Sequence, residues 1–227
     1  MNEIQKSGAT DIRAIVFDFD GTLILSNEIK RDCYLAVAND WPNGAAIVKE
    51  LLDGPPVGDR YALFGLFALR ISETFKDKPV DAIKMALAED YSRRAEAALL
   101  VCPERPGAMN LLGTLREQGI HLYLNSGTPL TWLRRIVEGR QIGGHFKGLY
   151  GGPISKIDNL KQIFQEANLQ PKQTLIVGDG LDDEHYANAI GCNFLPVAGG
   201  PLADRANAIT DYFDFQIRLD YLARGGQ

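Results

Sequence analysis

The feature that most restricts the fold is an apolar run at residues 12–17 that ends directly at Asp18 and Asp20. The run does not alternate apolar with polar side chains, which is typical of a strand buried on both faces of a parallel sheet. Three further runs of this kind occupy residues 120–124, 174–177 and 194–197, and the last is the weakest. Together these runs predict four strands of one parallel sheet.

Between these runs, apolar residues recur at helical spacing. This pattern predicts helices over residues 107–118, 130–138, 157–167, 183–190 and 213–222. Alternating strands and helices are the signature of βαβ units, in which helices cover both faces of a parallel sheet. The sequence therefore predicts the α/β fold class, with a Rossmann-like, three-layer core around a parallel sheet.

The stretch between the first two predicted strands breaks this alternation. Four helix-like segments lie near residues 28–39, 44–53, 59–75 and 80–99, with no convincing strand among them. We therefore expect an all-helical domain over residues 26–102, inserted into an α/β core domain made of residues 1–25 and 103–227.

Composition and charge argue against several classes of function. The 227 residues can bury a sizeable core, and the three cysteines lie too far apart to suggest disulfides or a zinc cluster. The net charge of −5 disfavours nucleic acid as a partner, because phosphate backbones attract basic surfaces. No apolar stretch suits a membrane span, and residues 1–11 lack the apolar centre of a signal peptide. We expect a cytoplasmic protein that binds neither nucleic acid nor membrane, with its oligomeric state left open.

Acidic residues follow two of the predicted strands. Asp18 and Asp20 are two positions apart, so their side chains can face the same crevice at the end of the first strand. Asp179, Asp182 and Asp183 follow the third. Aspartate is also common in ordinary turns, and each group alone would suit that role. Together the groups predict a site for a divalent cation, above all Mg²⁺, because clustered carboxylates repel one another without one.

Two further residues suit an anionic ligand. Ser126 lies shortly before a predicted helix, where its hydroxyl and the neighbouring backbone N–H groups could hold a phosphate oxygen. A helix N-cap explains this serine equally well. Lys156 stands at the head of the next predicted helix, where a lysine opposes the helix dipole. Its position therefore favours an anion nearby.

Four motifs in this order resemble those of the haloacid dehalogenase superfamily of phosphotransferases. They are DFDGTL at 18–23, NSGT at 125–128, Lys156, and GDGLDD at 178–183. The helical insert resembles the type 1 cap of that superfamily, as in its phosphoglycolate phosphatase and β-phosphoglucomutase subgroup. The resemblance covers nearly the whole chain and implies a phosphatase.

The resemblance also implies a role for each residue of the site. Asp18 would be the nucleophile that forms an aspartyl-phosphate, and Asp20 would act first as general acid and then as general base. Ser126, Gly127 and Lys156 would bind the oxygens of the transferred phosphoryl group.

The ligands of Mg²⁺ are implied in the same way. Asp18, the backbone carbonyl of Asp20, and Asp179 would hold the ion, with Asp183 assisting through Lys156 or water. We prefer Asp183 to its neighbour Asp182, because only Asp183 keeps the family's four-residue offset from Asp179.

The expected function is Mg²⁺-dependent hydrolysis of a small phosphorylated metabolite. One alternative is a sugar-phosphate mutase of the β-phosphoglucomutase type, which uses the same two aspartates. The other is a receiver-like signalling domain switched by a phospho-aspartate, against which the helical insert and the second carboxylate count. Within the insert, Arg60 is a candidate contact for an anionic substrate, and a solvated arginine at a helix start is the alternative.

Overall fold

The chain forms two compact units in a computed structural model that describes residues 12–72, 74 and 78–223. One unit contains the described residues up to Leu25 and those from Pro103 onward. The other is Ser26–Cys102, within the same limits. Residues 1–11, on which the expectation about a signal peptide rests, lie outside the described residues. Among the residues that are described, no helix is long and apolar enough to cross a membrane.

The first unit is built on a five-stranded parallel sheet. In chain order its strands are β1 (Ala14–Phe17), β2 (His121–Pro129), β3 (Gly148–Gly152), β4 (Thr174–Gly178) and β5 (Asn193–Pro196). Their spatial order is β3-β2-β1-β4-β5, so the chain builds outward from β1 and then crosses back to β4. Open α/β sheets bind ligands at such a reversal, beyond the carboxyl ends of the strands. The predicted parallel sheet is confirmed, with β3 as an additional strand.

The helices of the described residues agree closely with the predicted ones. In chain order they are α1 (Asn27–Ala38), α2 (Gly44–Asp53), α3 (Arg60–Ile71), α4 (Val80–Val101), α5 (Ala108–Glu117), α6 (Leu130–Gly139), α7 (Lys156–Ala167), α8 (Leu181–Ile190) and α9 (Phe215–Ala223). On one face of the sheet, α7 and α8 pack against Val16 and Ile176. On the other face, the Phe17 ring packs against the rings of Tyr212 and Phe215. The sheet therefore has helices on both faces, as the fold class predicts.

The carboxyl ends of the central strands are aligned. Phe17, the last residue of β1, pairs with Leu124 of β2 on one side and with Val177 of β4 on the other. The backbone N–H of Asp18 donates to Val177 O at 2.9 Å, which fixes the first residue after β1. Because parallel strands share a carboxyl edge, the segments that follow all three strands emerge together.

The second unit is all-helical within its described residues. Helices α1 to α4 enclose an apolar core whose large members include Phe64, Phe67 and Tyr91. The Tyr34 ring stacks on the Tyr91 ring with 4.0 Å between the ring centroids. Helix α3 ends at Ile71, and the predicted extension toward residue 75 reaches positions that lie outside the described residues.

The segment by which the chain leaves the first unit pairs with the segment by which it returns. Ile24 and Glu104 form an antiparallel bridge, and Leu25 N donates to Pro103 O at 2.9 Å. Arg105 N continues this ladder by donating to a backbone carbonyl, that of residue 23, at 2.9 Å. We call these paired segments, residues 23–25 and 103–105, the neck.

The sequence analysis missed β3, whose sequence is GLYGG. Glycine is depleted in strands because it has no side chain to pack. At Gly151 the absence of a side chain is required: a Cβ atom would lie 2.6 Å from Thr128 O and 2.9 Å from Leu130 N. The close approach of β3 to the end of β2 therefore selects the residue that makes this strand hard to detect.

We expect Gly151→Ala to destabilise the protein. The added methyl meets backbone atoms that cannot rotate away, and overpacking of this kind costs about 1–3 kcal/mol. The matched control is Gly113→Ala in α5, where a Cβ atom meets no heavy atom within 4 Å. That change should raise the free energy of unfolding by about 0.5–1 kcal/mol, because alanine suits a helix better than glycine. Urea denaturation measures both, and equal midpoints for the two variants would contradict the prediction.

Candidate active site

Three buried carboxylates meet at the carboxyl edge of the sheet. Asp18 follows β1, Asp179 follows β4, and Asp183 lies in the first turn of α8. One oxygen atom of each lies within 4.8 Å of the other two. The structure thus brings together Asp18, Asp179 and Asp183 from positions that are far apart in the sequence.

Lys156, the first residue of α7, inserts its ammonium group among these carboxylates. Its Nζ lies 2.9 Å from Asp183 Oδ1 and 3.2 Å from Asp18 Oδ1. The Asp182 carboxylate is 3.4 Å away, but its side chain is 67% exposed, whereas that of Asp183 is 0% exposed. The buried position of Asp183 supports our preference for it over Asp182 as part of the site.

The Asp183 carboxylate is fixed by two further hydrogen bonds. The Tyr186 hydroxyl donates to its Oδ1 at 2.6 Å, and the Gly180 backbone N–H donates to its Oδ2 at 3.1 Å. The sequence analysis missed Tyr186, although the spacing of three residues along one helix places its side chain on the same face as Asp183. Both oxygens of this carboxylate are therefore held in place.

Burial and charge act against each other in this cluster. Burial raises the pKa of Asp18 well above its usual range, and repulsion from Asp183 and Asp179 adds to the rise, while Lys156 opposes it. Burial also raises the pKa of Asp183. Burial on its own would lower the pKa of Lys156, but attraction to Asp18 and Asp183 outweighs it and leaves that pKa well above the usual range. The Lys156 ammonium is thus favoured by its acidic neighbours, and a further positive charge in the cluster would favour the ionised carboxylates.

Asp20 lies apart from the three-carboxylate cluster and is held by hydroxyl groups. Thr128 Oγ1 donates to Asp20 Oδ2 at 3.0 Å, and Ser126 Oγ reaches the same oxygen at 3.5 Å. Ser126 Oγ also accepts from Thr128 N at 3.1 Å. The N-cap of α6 is Pro129, so the alternative interpretation of Ser126 as a helix cap is wrong. The sequence analysis missed Thr128.

Two asparagines place the backbone at Lys156. Asn125 Nδ2 donates to Lys156 O at 2.9 Å, and Asn159 Nδ2 donates to Asn125 Oδ1 at 3.1 Å. Both asparagine residues are buried, where an unpaired amide would be costly. This chain of hydrogen bonds ties the end of β2 to the start of α7 and sets the position from which the lysine side chain reaches the cluster.

The donor set fits a hard divalent cation. The three carboxylates are buried, supply only oxygen, and converge closely enough to bind one ion between them. The Asp179 carboxylate is oriented by Thr22, whose Oγ1 lies 3.3 Å from Asp179 Oδ1. The Asp20 side chain is directed to Thr128 instead, in keeping with a contribution to the ion through its backbone carbonyl alone.

A family model described as haloacid dehalogenase-like hydrolase matches residues 12–191. The chain belongs to the haloacid dehalogenase-like hydrolase family. The match begins before Asp18 and ends after Asp183, so it contains all four motifs of the sequence analysis. The predicted resemblance to the haloacid dehalogenase superfamily is confirmed. The prediction that the chain is a hydrolytic enzyme is confirmed with it.

Curated relatives in this family are phosphoglycolate phosphatases. The phosphoglycolate phosphatase of Pseudomonas putida is 30% identical over 191 residues, which cover 79% of this chain and 66% of that protein. The one of Rhodospirillum rubrum is 28% identical over 225 residues, which cover 92% of this chain and 90% of that protein. The predicted similarity to the phosphoglycolate phosphatase subgroup is confirmed.

Solved structures share the fold. A predicted phosphoglycolate phosphatase from Haemophilus somnus superimposes with a TM-score of 0.73 at 18% identity, covering 93% of this chain and 99% of that chain. A candidate β-phosphoglucomutase from Thermotoga maritima gives a TM-score of 0.68 at 16% identity, covering 92% and 99%. At these identities the likeness concerns the haloacid dehalogenase-like fold.

Arg60, the candidate substrate contact of the helical unit, is buried at the start of α3. Its Nη1 donates to Ser92 Oγ at 2.6 Å, and its guanidinium lies 4.9 Å from the centroid of the Tyr91 ring. The alternative of a solvated arginine at a helix start is therefore wrong. The helix N-cap is Asp59, whose carboxylate accepts from the backbone N–H groups of Tyr61 and Ala62 at 3.0 Å each.

We expect Mg²⁺ to stabilise the protein through the carboxylate cluster. An ion that binds only the folded state adds about 2.7 kcal/mol at roughly one hundred times its dissociation constant. The shift in melting temperature between EDTA and excess Mg²⁺ should disappear in Asp179→Asn and Asp183→Asn. It should persist in Asp182→Asn, because that neighbouring carboxylate is exposed and outside the cluster. The same shift in all variants would contradict this assignment.

Proposed function

We propose that this protein is a Mg²⁺-dependent phosphatase that hydrolyses a small phosphate monoester through an aspartyl-phosphate on Asp18. The observation that carries the proposal is the Asp18 carboxylate, buried at the end of β1 and placed 3.2 Å from Lys156 and beside two further acidic groups. This arrangement combines a nucleophile with positive charge, as phosphoryl transfer requires.

In the first step, an Asp18 oxygen attacks phosphorus while the bond to the ester oxygen breaks. Asp20 gives its proton to the departing oxygen, which leaves as an alcohol. Bound Mg²⁺ would offset charge on the phosphoryl oxygens and on the carboxylates. In the second step, Asp20 takes a proton from a water molecule whose oxygen attacks phosphorus, and the bond between phosphorus and the Asp18 oxygen breaks. Inorganic phosphate leaves, and the Asp18 carboxylate is restored.

Three groups bind the phosphoryl oxygens in this proposal. Lys156 supplies a cation already held between Asp18 and Asp183. Ser126 supplies a hydroxyl whose contact with Asp20 is long, at 3.5 Å, so this hydroxyl can turn to a phosphoryl oxygen. The backbone N–H of Gly127 is the third donor. Thr128 keeps Asp20 in place when Ser126 turns, because its own bond to that carboxylate is shorter, at 3.0 Å.

Phosphoglycolate is the substrate that the curated relatives support best, since the relatives from P. putida and R. rubrum are both phosphoglycolate phosphatases. We also propose that residues 1–25 with 103–227 act as the catalytic core, and that residues 26–102 act as a cap that admits only small metabolites to the active site. The reaction takes place in the cytoplasm in this proposal. Arg60 takes no part in this proposal, because its guanidinium is buried within the helical unit and donates to Ser92 Oγ. The receiver-like alternative does not fit the hydrolase family to which the chain belongs.

Substitution of each aspartate of the first motif should have a different effect on turnover. Asp18→Asn should abolish the phosphoenzyme and turnover, because the amide is a poor nucleophile. Asp20→Asn should lower turnover by about 10²–10⁴-fold, and least for aryl phosphates, whose leaving groups need no protonation. Mass spectrometry of acid-quenched enzyme detects the intermediate, and Asp40→Asn, at an exposed aspartate of the helical unit, is the control. A normal phosphoenzyme burst in Asp18→Asn would show that another residue is the nucleophile.

Substrate choice is tested by assaying the purified protein with Mg²⁺ on a panel of phosphorylated metabolites that includes phosphoglycolate and hexose 1-phosphates. We expect the highest kcat/KM for phosphoglycolate, with stoichiometric release of inorganic phosphate. An isomerised hexose phosphate without release of phosphate would identify the mutase instead. A different preferred ester, still hydrolysed, would retain the phosphatase and replace only the substrate.

A further inference from the structure

Arg105 is a buried arginine whose hydrogen bonds go to backbone carbonyls. Its side chain belongs to the first unit, and the residue is 4% exposed. Nε donates to Thr22 O at 3.0 Å, and Nη2 donates to Gly21 O. Nη1 donates to Thr210 O at 2.8 Å and to Ala198 O at 3.4 Å. The four carbonyls come from three separate segments of the chain.

Two of these segments, at residues 21–22 and 198–200, lie against the Asp179 carboxylate. Thr22 Oγ1 donates to Asp179 Oδ1 at 3.3 Å, so the residue whose carbonyl Arg105 binds also orients this carboxylate. On the other side, the backbone at Gly200 packs so closely that a Cβ there would lie 2.8 Å from Asp179 Oδ2. A Cβ at Gly199 would lie 2.6 Å from the Arg105 guanidinium. Arg105 therefore links the two segments, residues 21–22 and 198–200, between which the Asp179 carboxylate lies.

The chemistry of the arginine side chain suits this position. Its planar fork carries five N–H donors in fixed directions and remains charged when buried, so it can bind several carbonyl oxygens at once. A lysine offers a single ammonium on a flexible stem and cannot reach all three segments in the same way. The Tyr212 hydroxyl adds a weaker support by donating to Thr22 O at 3.2 Å.

We propose that Arg105 is a positioning residue for the cation site: through Thr22 and the 198–200 segment it fixes the orientation of the Asp179 carboxylate and so sets the affinity for Mg²⁺. The inference rests on the proposed function, because it assigns Asp179 as a ligand of the ion. Arg105 itself touches neither substrate nor ion and takes no part in the transfer of the phosphoryl group.

The proposal predicts a change in metal affinity rather than in the chemical step. Groups that orient a metal ligand typically contribute about 10–100-fold to affinity. Arg105→Lys should therefore weaken Mg²⁺ binding, measured by isothermal titration calorimetry, by about tenfold or more. The turnover number at saturating Mg²⁺ should stay within a few-fold of the wild type. A purely structural role would lower the melting temperature in EDTA and leave the affinity unchanged.

Thr22→Val provides a second variant that removes the hydroxyl link but keeps the size of the side chain. It should weaken Mg²⁺ binding in the same direction, and its effect should be less than additive with Arg105→Lys, because both act through Asp179. Arg116→Lys is the matched control, since Arg116 donates to Gly144 O at 3.0 Å, a backbone carbonyl outside these segments. That control should bind Mg²⁺ like the wild type.

The outcomes separate this inference from the proposed function. If the wild type binds no Mg²⁺, the assignment of the cation site fails and the role of Arg105 fails with it. If the wild type binds Mg²⁺ and both folded Arg105→Lys and folded Thr22→Val bind it equally well, the role of Arg105 is overturned while the phosphatase proposal stands. If Arg105→Lys does not fold, Thr22→Val alone decides: unchanged affinity in that variant overturns the inference.

Discussion

The ion contact between Lys156 and the carboxylates of Asp18 and Asp183 is the constraint on which the first unit depends. Transfer of a charge from water to a protein interior costs several kcal/mol even after the surroundings relax. Here one ammonium lies against two carboxylates, both buried, at 3.2 and 2.9 Å. Loss of one partner from such a contact typically costs about 3–5 kcal/mol, because a charge is left buried without compensation. The position of Lys156 is therefore a condition for the fold as well as for the site.

Neutral polar groups around the site form hydrogen bonds to its charged residues. Asn125 and Asn159 hold the backbone of Lys156, and Tyr186 completes the hydrogen bonds of Asp183. Thr128 does the same for Asp20. Each of these four side chains forms a hydrogen bond to a group whose burial would otherwise be unfavourable. The charged residues of the site are thus held by neutral side chains as well as by one another.

The predictions from the sequence succeeded where a strong local pattern exists. The runs that became β1, β2 and β4 are mostly apolar, and the cluster of Asp18, Asp179 and Asp183 follows from residues placed at or just after the ends of these runs. β3 was missed because its glycines satisfy a contact with the backbone of β2, which no local pattern encodes.

The supporting residues were missed for a related reason. Thr128, Asn159 and Arg105 are polar residues of common types. Thr128 lies in the NSGT motif, but the local sequence does not show which group any of the three side chains binds. Their roles depend on partners distant in sequence: Asp20 for Thr128, Asn125 for Asn159 and Thr22 for Arg105. The tertiary structure creates these roles, so a single sequence carries no signal for them.

The neck affects how freely the length of the inserted segment can vary. Because the Ile24–Glu104 bridge and the bond from Leu25 N to Pro103 O hold both ends of the inserted segment together, the first unit presents the same boundary whatever lies beyond it. The entropy of closing a loop grows only slowly with its length, by about 0.6 kcal/mol for each doubling. The entropy of closure therefore sets only a weak limit on the length of the segment that the neck encloses. Because the pairing lies within the first unit, residues 18–22 on one side and Arg105 on the other are held in register by bonds of that unit alone.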